Sequence, residues 1–175
     1  VHILKMMEGQ IVTEDVREEV GYTEEKGRKV FKPNGTYQKI AAVERHKNTG
    51  KIGVGIVKGF GLRGGAIASS VSHDSHNLIV IGDNDHDMYL AVQELLRTQG
   101  GYTLVENGQV FDTLPLPIMG LMSDAGYEKV NEKLARMISK AHEMGIPEGF
   151  DPFITLSFMA LPVIPEIRIT PRGVY

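Results

Sequence analysis

Residues 78–99 read LIVIGDNDHDMYLAVQELLRTQ and join a short apolar run to an amphipathic one. The run from residue 78 to 81 is rich in β-branched side chains and predicts a buried strand. From residue 85 to 99 the apolar side chains recur at intervals of three and four, the spacing of one buried helical face. These side chains are Met88, Ala91, Val92, Leu95 and Leu96. The stretch therefore predicts a strand followed by a helix that packs on a sheet.

The polar string DNDHD at 83–87 lies where this helix begins. Asp83 or Asp85 is positioned to cap the first turn, and Gly100 is positioned to end the helix. The string superficially resembles an oxygen-rich calcium loop, but it lacks the glycine at the sixth position and the terminal bidentate glutamate of such loops. Carboxylates in a first helical turn complement the helix dipole, which favours the capping interpretation.

Other β-branched runs precede this stretch and are separated by turns rich in glycine or asparagine. They predict three more strands, at residues 40–43, 52–58 and 66–71. After the helix, residues 102–105 and 109–114 flank Asn107-Gly108, and Asn-Gly is the strongest short-range signal for a β-hairpin. A hairpin is therefore expected to follow the helix.

Ser123 and Asp124 precede a long amphipathic run that stops at residues 145–147, Gly-Ile-Pro, and predicts a second helix. The apolar run 153–161 suits either a helix or a strand, and residues 167–169 alternate like a strand. This order of elements predicts an α+β fold: a single domain with a mixed β-sheet and two main helices packed on it.

The composition excludes several classes of protein. At 175 residues and 42% hydrophobic, the chain suits one domain with a sizeable core. A net charge of −3, from 19 basic and 22 acidic residues, leaves no electrostatic footprint for nucleic acid or for an anionic membrane. The chain has no cysteine, no secretory segment and no apolar stretch long enough to span a bilayer. A cytoplasmic protein is expected.

Residues 1–39 are expected to form a charged, loop-rich lead-in. From residue 21 to 39 the chain is polar, is broken by Gly27, Pro33 and Gly35, and has neither helical nor strand periodicity. The domain proper is therefore expected to span residues 40–175. Because the chain starts with valine rather than methionine, we expect it to be a piece of a longer protein.

The most unusual local string is SHDSHN at residues 72–77, between two apolar strands. Its imidazoles and carboxylate suit two roles. His73 and His76 can bind a divalent metal, or they can carry protons near neutral pH while Asp74 orients one ring. The same residue types are also ordinary turn formers, and a His-x-x-His pair without a third ligand is weak support for a metal.

Two further polar strings lie at strand ends. The glycine-rich string KGFGLRGG at 58–65 matches neither the dinucleotide-binding fingerprint nor the P-loop, so its glycines are expected to serve a turn or a bulge. Glu44, Arg45 and His46 form the other string, and such a charged surface is more often solvated than catalytic.

Several blocks of sequence, in this order and spacing, resemble the C-terminal domain of adenine deaminases. The likeness covers roughly residues 40 to 175. The blocks are AVERH at 42–46, GVGIVKGFGL at 53–62, GAIASSVSHDSHN at 65–77, LPLPI at 114–118, GLMS at 120–123, DPF at 151–153 and LPVIP at 161–165.

The resemblance implies hydrolytic deamination of adenine to hypoxanthine and ammonia in purine salvage, by a metal-dependent member of the amidohydrolase superfamily. In that family a (β/α)8 barrel holds the divalent metal, manganese, iron or zinc. Such a barrel needs about 250 residues, so this chain has no room for it. The barrel is thus an implied partner, and this chain by itself is expected to be inactive.

The resemblance also suggests roles for individual side chains. His73, Asp74 and His76 are expected to be catalytic. Substrate-binding roles are expected for Ser72, Asn77, Glu44 and Arg45. The same polar loop would alternatively only join two domains through hydrogen bonds. The rival hypothesis for the whole chain is a stand-alone purine- or metal-binding regulatory module without hydrolase activity, and a homo-oligomer is expected in either case.

Overall fold

A computed structural model describes residues 1–7 and 9–175. Its elements, in chain order, are strands β1 (His2–Met6), β2 (Thr13–Arg17), β3 (Tyr22–Glu25), β4 (Arg28–Phe31), β5 (Tyr37–Val43), β6 (Ile52–Lys58), β7 (Gly65–Ser69) and β8 (Leu78–Gly82), helix α1 (Asp85–Arg97), strands β9 (Gly101–Glu106) and β10 (Gln109–Pro115), helices α2 (Tyr127–Glu143) and α3 (Pro152–Phe158), and strands β11 (Ile169–Thr170) and β12 (Gly173–Val174). None of the helices in this part of the chain is long and apolar enough to cross a membrane.

Eight strands form one sheet in the order β10-β9-β7-β8-β5-β6-β1-β2. Neighbouring strands are antiparallel except for β1 and β6, which are parallel. Every residue of β7 and β8 is buried, because helices cover both faces of the sheet at its centre. The predicted α+β fold, a single domain with a mixed sheet, is confirmed.

The two faces of the sheet are covered unequally. Helix α1 packs over β7 to β10, where Met88, Ala91 and Leu95 cover small side chains of the sheet. The larger core lies on the opposite face, where α2 and α3 supply Met137, Phe153 and other apolar side chains. The two main helices are present as expected. The run 153–161, which suited either a helix or a strand, contains the short helix α3, which Asp151 caps.

The lead-in differs from its prediction. Residues 1–39 contain β1 to β4 and the start of β5, so the expectation of a loop-rich segment is wrong. Strands β3 and β4 pair only with each other and expose most of their side chains, which explains the missing period-two pattern. Strands β1 and β2 form one edge of the main sheet.

Two predicted helix starts also need correction. Asn84, not Asp83 or Asp85, caps α1: its side-chain oxygen accepts from the Asp87 N–H at 2.8 Å. Asp83 instead accepts hydrogen bonds from the backbone N–H groups of Gly64 and Gly65. Helix α2 begins at Tyr127 without a side-chain cap, because Ser123 closes a turn upstream by accepting from the Ala125 N–H.

A buried arginine ties the C-terminal tail to the β2 edge. The Arg168 guanidinium donates to the carbonyls of Ile11 and Pro165 and to the hydroxyl of Thr13. Thr13 and the tail also exchange backbone hydrogen bonds, with Pro165 and Glu166. The alternating run 167–169 thus forms a strand only at its end, in the small β11–β12 hairpin.

Candidate functional site

The polar loop 70–77 connects β7 to β8 at one end of the sheet. It is closed on itself by a 2.6 Å hydrogen bond from the His76 N–H to the Ser72 carbonyl and by the Asn77 amide, which donates to the Ser75 hydroxyl. The His73 N–H donates to the Ser157 carbonyl of α3 at 3.2 Å. The loop is therefore held from within and from the neighbouring helix.

The His73 ring lies on α3 rather than in open solvent. It stacks on Phe158 with ring centroids 5.0 Å apart and planes inclined by 28°. The Asp74 carboxylate, which is mostly exposed, lies 3.8 Å from Nδ1 of His73. The two side chains are neighbours, but at this distance they form no direct hydrogen bond, and the orienting role of Asp74 stays a prediction.

His76 lies beside His73, with ring centroids 5.9 Å apart in an edge-to-face arrangement. Its Nδ1 is buried without a hydrogen-bond partner. Burial lowers the pKa of His76, and repulsion from the His73 ring and the Arg45 guanidinium lowers it further. The charged form of the His76 ring is thus less favoured than that of a free imidazole.

Arg45 joins this group from the end of β5. Its backbone N–H donates to the Asn77 side chain, and its guanidinium donates to the Met119 carbonyl at 2.6 Å. The Nε of Arg45 is buried without a partner, and burial lowers the pKa of the guanidinium. The structure thus brings Arg45, from the string AVERH, beside His73 and His76, from the string SHDSHN.

Glu44 lies in the adjacent turn, and its carboxylate accepts hydrogen bonds from other residues of that turn. The two oxygens accept from the N–H groups of His46, Lys47 and Thr49 and from the Thr49 hydroxyl. These hydrogen bonds, the Thr49 N–H first, lower the pKa of Glu44 to about 2. Its oxygens serve the turn, unlike the unpartnered polar atoms of Arg45 and His76.

Ser72 points inward. Its hydroxyl is buried without a hydrogen-bond partner and borders a cavity of about 100 Å³ between the loop and the tail. On the outer side, the His46 ring contacts the Ser75 carbonyl at 2.7 Å. A larger pocket of about 670 Å³ separates the turn after β5 from the β11–β12 hairpin, and Ser75 and Asn77 line it.

Sequence reasoning missed the supporting partners of these side chains. Met119 and Gly120 hold Arg45 and Ser70, and Phe158 supports His73. Nothing in the local sequence marks these residues, because they contact the site from segments far along the chain. Of these residues only Gly120 lies in one of the blocks that resemble the family, the GLMS block at 120–123.

The described residues contain no group of three histidines, aspartates or glutamates that could hold a metal ion. His73 and His76 supply two imidazoles, and the third histidine nearby, His46, contacts the Ser75 carbonyl. A complete metal centre does not fit the residues of this loop alone.

Comparison with known proteins agrees with the resemblance in the sequence. A family model, the adenine deaminase C-terminal domain, matches residues 10–175. The chain is 56% identical over 173 residues to adenine deaminase of Desulfitobacterium hafniense (strain Y51), covering 99% of this chain and 30% of that protein. It is 46% identical over 176 residues to adenine deaminase of Halalkalibacterium halodurans, covering 99% of this chain and 29% of the relative.

A third relative, adenine deaminase of Bacillus subtilis (strain 168), is 50% identical over 137 residues, which cover 78% of this chain and 24% of the relative. The chain thus spans less than a third of the length of the curated relatives it matches. The family match begins at residue 10 and so includes most of the charged lead-in. The chain belongs to the adenine deaminase C-terminal domain family.

Proposed function

We propose that this chain is the part of an adenine deaminase that lends the polar loop 72–77 and Arg45 to the adenine site, while a (β/α)8 barrel outside this chain holds the divalent metal. The relatives named adenine deaminase are about three times longer than the region they share with this chain, which leaves ample room for such a barrel. The metal's contribution is hydroxide from a bound water at neutral pH.

The observation that carries the proposal is a pair of unpartnered atoms. Nε of Arg45 and Nδ1 of His76 are both buried without a hydrogen-bond partner, and both belong to charged or titratable groups that converge at one end of the sheet. A buried polar atom without a partner costs about 1–3 kcal/mol. That cost is explained if a substrate or a neighbouring domain completes these hydrogen bonds.

The two groups suit different parts of the reaction. Adenine has ring nitrogens that accept hydrogen bonds, and the Arg45 guanidinium can only donate. In the reaction, water adds at C6, the bond from C6 to the amino nitrogen breaks, and the nitrogen leaves as ammonia after gaining a proton. A neutral imidazole both accepts and donates protons, so His76 is the proposed proton carrier. His73, whose Nδ1 lies 3.8 Å from the Asp74 carboxylate, is proposed to assist it.

The test uses a full-length enzyme in which this chain replaces the matching region of the Desulfitobacterium hafniense adenine deaminase. Ammonia release from adenine is measured with added manganese, iron or zinc. His76→Ala is expected to lower kcat/KM by roughly 100-fold or more, the usual contribution of a general acid–base group. His86→Ala is the matched control, since His86 lies on α1 at the opposite end of β8.

Two results would contradict the proposal. Adenine turnover by the 175-residue chain alone would mean that its own residues suffice. Full activity of the His76→Ala enzyme would mean that the loop only joins two domains. Adenine binding by the chain alone, together with no turnover by the full-length enzyme that carries it, would favour a separate binding module.

A further inference from the structure

An apolar surface borders the candidate site on the side of α1. Residues 117–122 form a short loop after β10, here called the methionine loop, in which Ile118, Met119 and Met122 are exposed. Met119 is 74% exposed, and Leu96 on the last turn of α1 is 59% exposed. Large apolar side chains grouped in this way commonly mark an interaction surface.

The methionine loop is fixed from below by polar contacts to the site. Ile118 and Met122 close it with reciprocal backbone hydrogen bonds of 3.2 Å. Arg45 donates to the Met119 carbonyl and the Ser70 hydroxyl donates to the Gly120 carbonyl, each at 2.6 Å. The backbone is therefore tied to the sheet, and the apolar side chains are presented outward.

A groove of about 480 Å³ separates the loop from the end of α1. Apolar side chains line much of it, including Leu78, Leu95 and Leu96, and its polar side chains are those of Arg45, His46 and Gln99. The groove thus runs directly into the cluster that bears the unpartnered Nε of Arg45. A partner seated in this groove would therefore lie beside Arg45.

We propose that the methionine loop and Leu96 are the docking surface for the part of the adenine deaminase polypeptide that lies outside this chain. This inference rests on the proposed function. Two observations favour this occupant: the surface is continuous with Arg45 and His46, and the curated relatives have about 70% of their length outside the matched region. A second copy of this chain seated there would cover Arg45 without supplying a metal site. Methionine side chains suit such a contact because they adapt to irregular surfaces.

The test compares amide hydrogen exchange in two proteins: this chain alone, and the full-length enzyme carrying this chain in place of its own C-terminal region. Docking is expected to slow exchange at residues 118–122 by about tenfold or more in the full-length enzyme. Met119→Glu is expected to remove that protection. Val110→Glu is the matched control, because Val110 is also an exposed apolar residue but lies on the β9–β10 hairpin.

Each outcome separates the docking surface from the proposed function. Equal exchange at residues 118–122 in both proteins, or unchanged protection in the Met119→Glu enzyme, would overturn the docking surface. Protection that appears in the chain alone and rises with its concentration would identify a second copy as the occupant instead. Strong protection together with an active His76→Ala enzyme would leave the docking surface standing and overturn the role of the loop in catalysis.

Discussion

The strand pair β7–β8 carries a polar cluster at each end, and the two clusters differ in how well their hydrogen bonds are satisfied. At one end, here called the glycine end, Asp83 accepts from Gly64 and Gly65, and Asp87 accepts from the Gly108 N–H and the Asn84 amide. At the other, the site end, the hydroxyl of Ser72, Nδ1 of His76 and Nε of Arg45 are buried without partners.

The contrast separates a cluster whose carboxylates are hydrogen-bonded from the cluster proposed to bind adenine, where three buried atoms have no partner. Both ends have the residue types that bind ligands, and both follow glycine or serine turns. At the glycine end the carboxylates already bind the backbone N–H groups that a phosphate would need, so no phosphate-binding loop is formed there. At the site end three polar atoms without hydrogen bonds lie together, whereas Gln38, Asp112 and Arg168 each have one such atom elsewhere in the fold.

Removing a side chain from each end should have the largest and most unequal effect on stability. Asp83→Ala leaves two N–H groups without their acceptor and is expected to lower the free energy of unfolding by about 2–3 kcal/mol. Ser72→Ala removes a hydroxyl that has no partner and is expected to be nearly neutral. Urea unfolding of both variants measures the difference in unfolding free energy. A similar loss of stability in both variants would contradict the described difference between the two clusters.

A second pair of variants tests whether the site end depends on the position of Arg45. Gly120 and Gly126 both have positive φ, so alanine at either position carries strain of about 1–3 kcal/mol. Only at Gly120 would the added methyl group strike the Arg45 guanidinium, because nothing lies within 4 Å at Gly126.

Gly120→Ala is therefore expected to lower adenine deamination by the full-length enzyme roughly 10- to 100-fold, the usual result of misplacing a binding group. Gly126→Ala is expected to leave kcat/KM within about twofold of the parent, since a change away from the site affects mainly stability. Equal activity of the two variants would show that the position of Arg45 does not matter.

The titration of His76 sharpens the comparison further. Its pKa is lowered mainly by burial and then by the positive charge of His73, whereas Asp74 raises it. His73→Ala should therefore raise the pKa of His76, and Asp74→Asn should lower it. Histidine ring signals followed by NMR between pH 4 and 8, about the usual range of imidazole titration, measure both shifts. Shifts in the same direction would contradict the described cluster.

The sign of the pH dependence follows from the lowered pKa. Below 6.5 the unfolded chain takes up a proton at His76 before the folded chain does, so this residue makes folding less favourable as the pH falls from 6.5 towards its folded pKa. In His76→Ala this part of the pH dependence should disappear from the unfolding free energy.

The smallest expected effect concerns the turn held by Glu44. Its pKa is about 2 in the folded protein against 4.5 ordinarily, so its stabilising contribution is present above pH 4.5 and is lost as the pH falls towards 2. Hydrogen exchange at residues 46–49, corrected for intrinsic rates, should lose protection over that interval. Glu44→Gln should already have low protection at neutral pH, and a variant that keeps full protection would mean that the carboxylate does not hold the turn.

Much of the fold could be predicted from the sequence where local pattern and burial agree. The Asn107-Gly108 turn is confirmed, and Met88, Ala91 and Leu95 form the buried face of α1 as predicted, but Leu96, which was expected on that face, is 59% exposed. The charged strands β3 and β4 were missed because most of their side chains are exposed on both faces. Propensity carries little information when no face is buried.

The site could be predicted only in part, and for a physical reason. The string at residues 72–77 can be recognised from its composition. The contacts of His73 with Phe158 and of Arg45 with Met119, however, join residues more than 70 positions apart. Such pairs leave no trace in local periodicity. The family likeness suggested roles for both Glu44 and Arg45, and only the geometry separates the turn-forming carboxylate from the guanidinium whose Nε has no partner.

The buried Arg168 has a consequence for the order in which the chain acquires its structure. Its guanidinium and the backbone near Pro165 bind residues 11 and 13, about 150 positions earlier. Contacts over such separations form late, because a long loop must close before they can form. During synthesis, strand β2 is therefore made long before the residues that bind its edge. An unpaired strand edge can associate with other chains. This edge is where slow folding and a need for chaperones should first become visible.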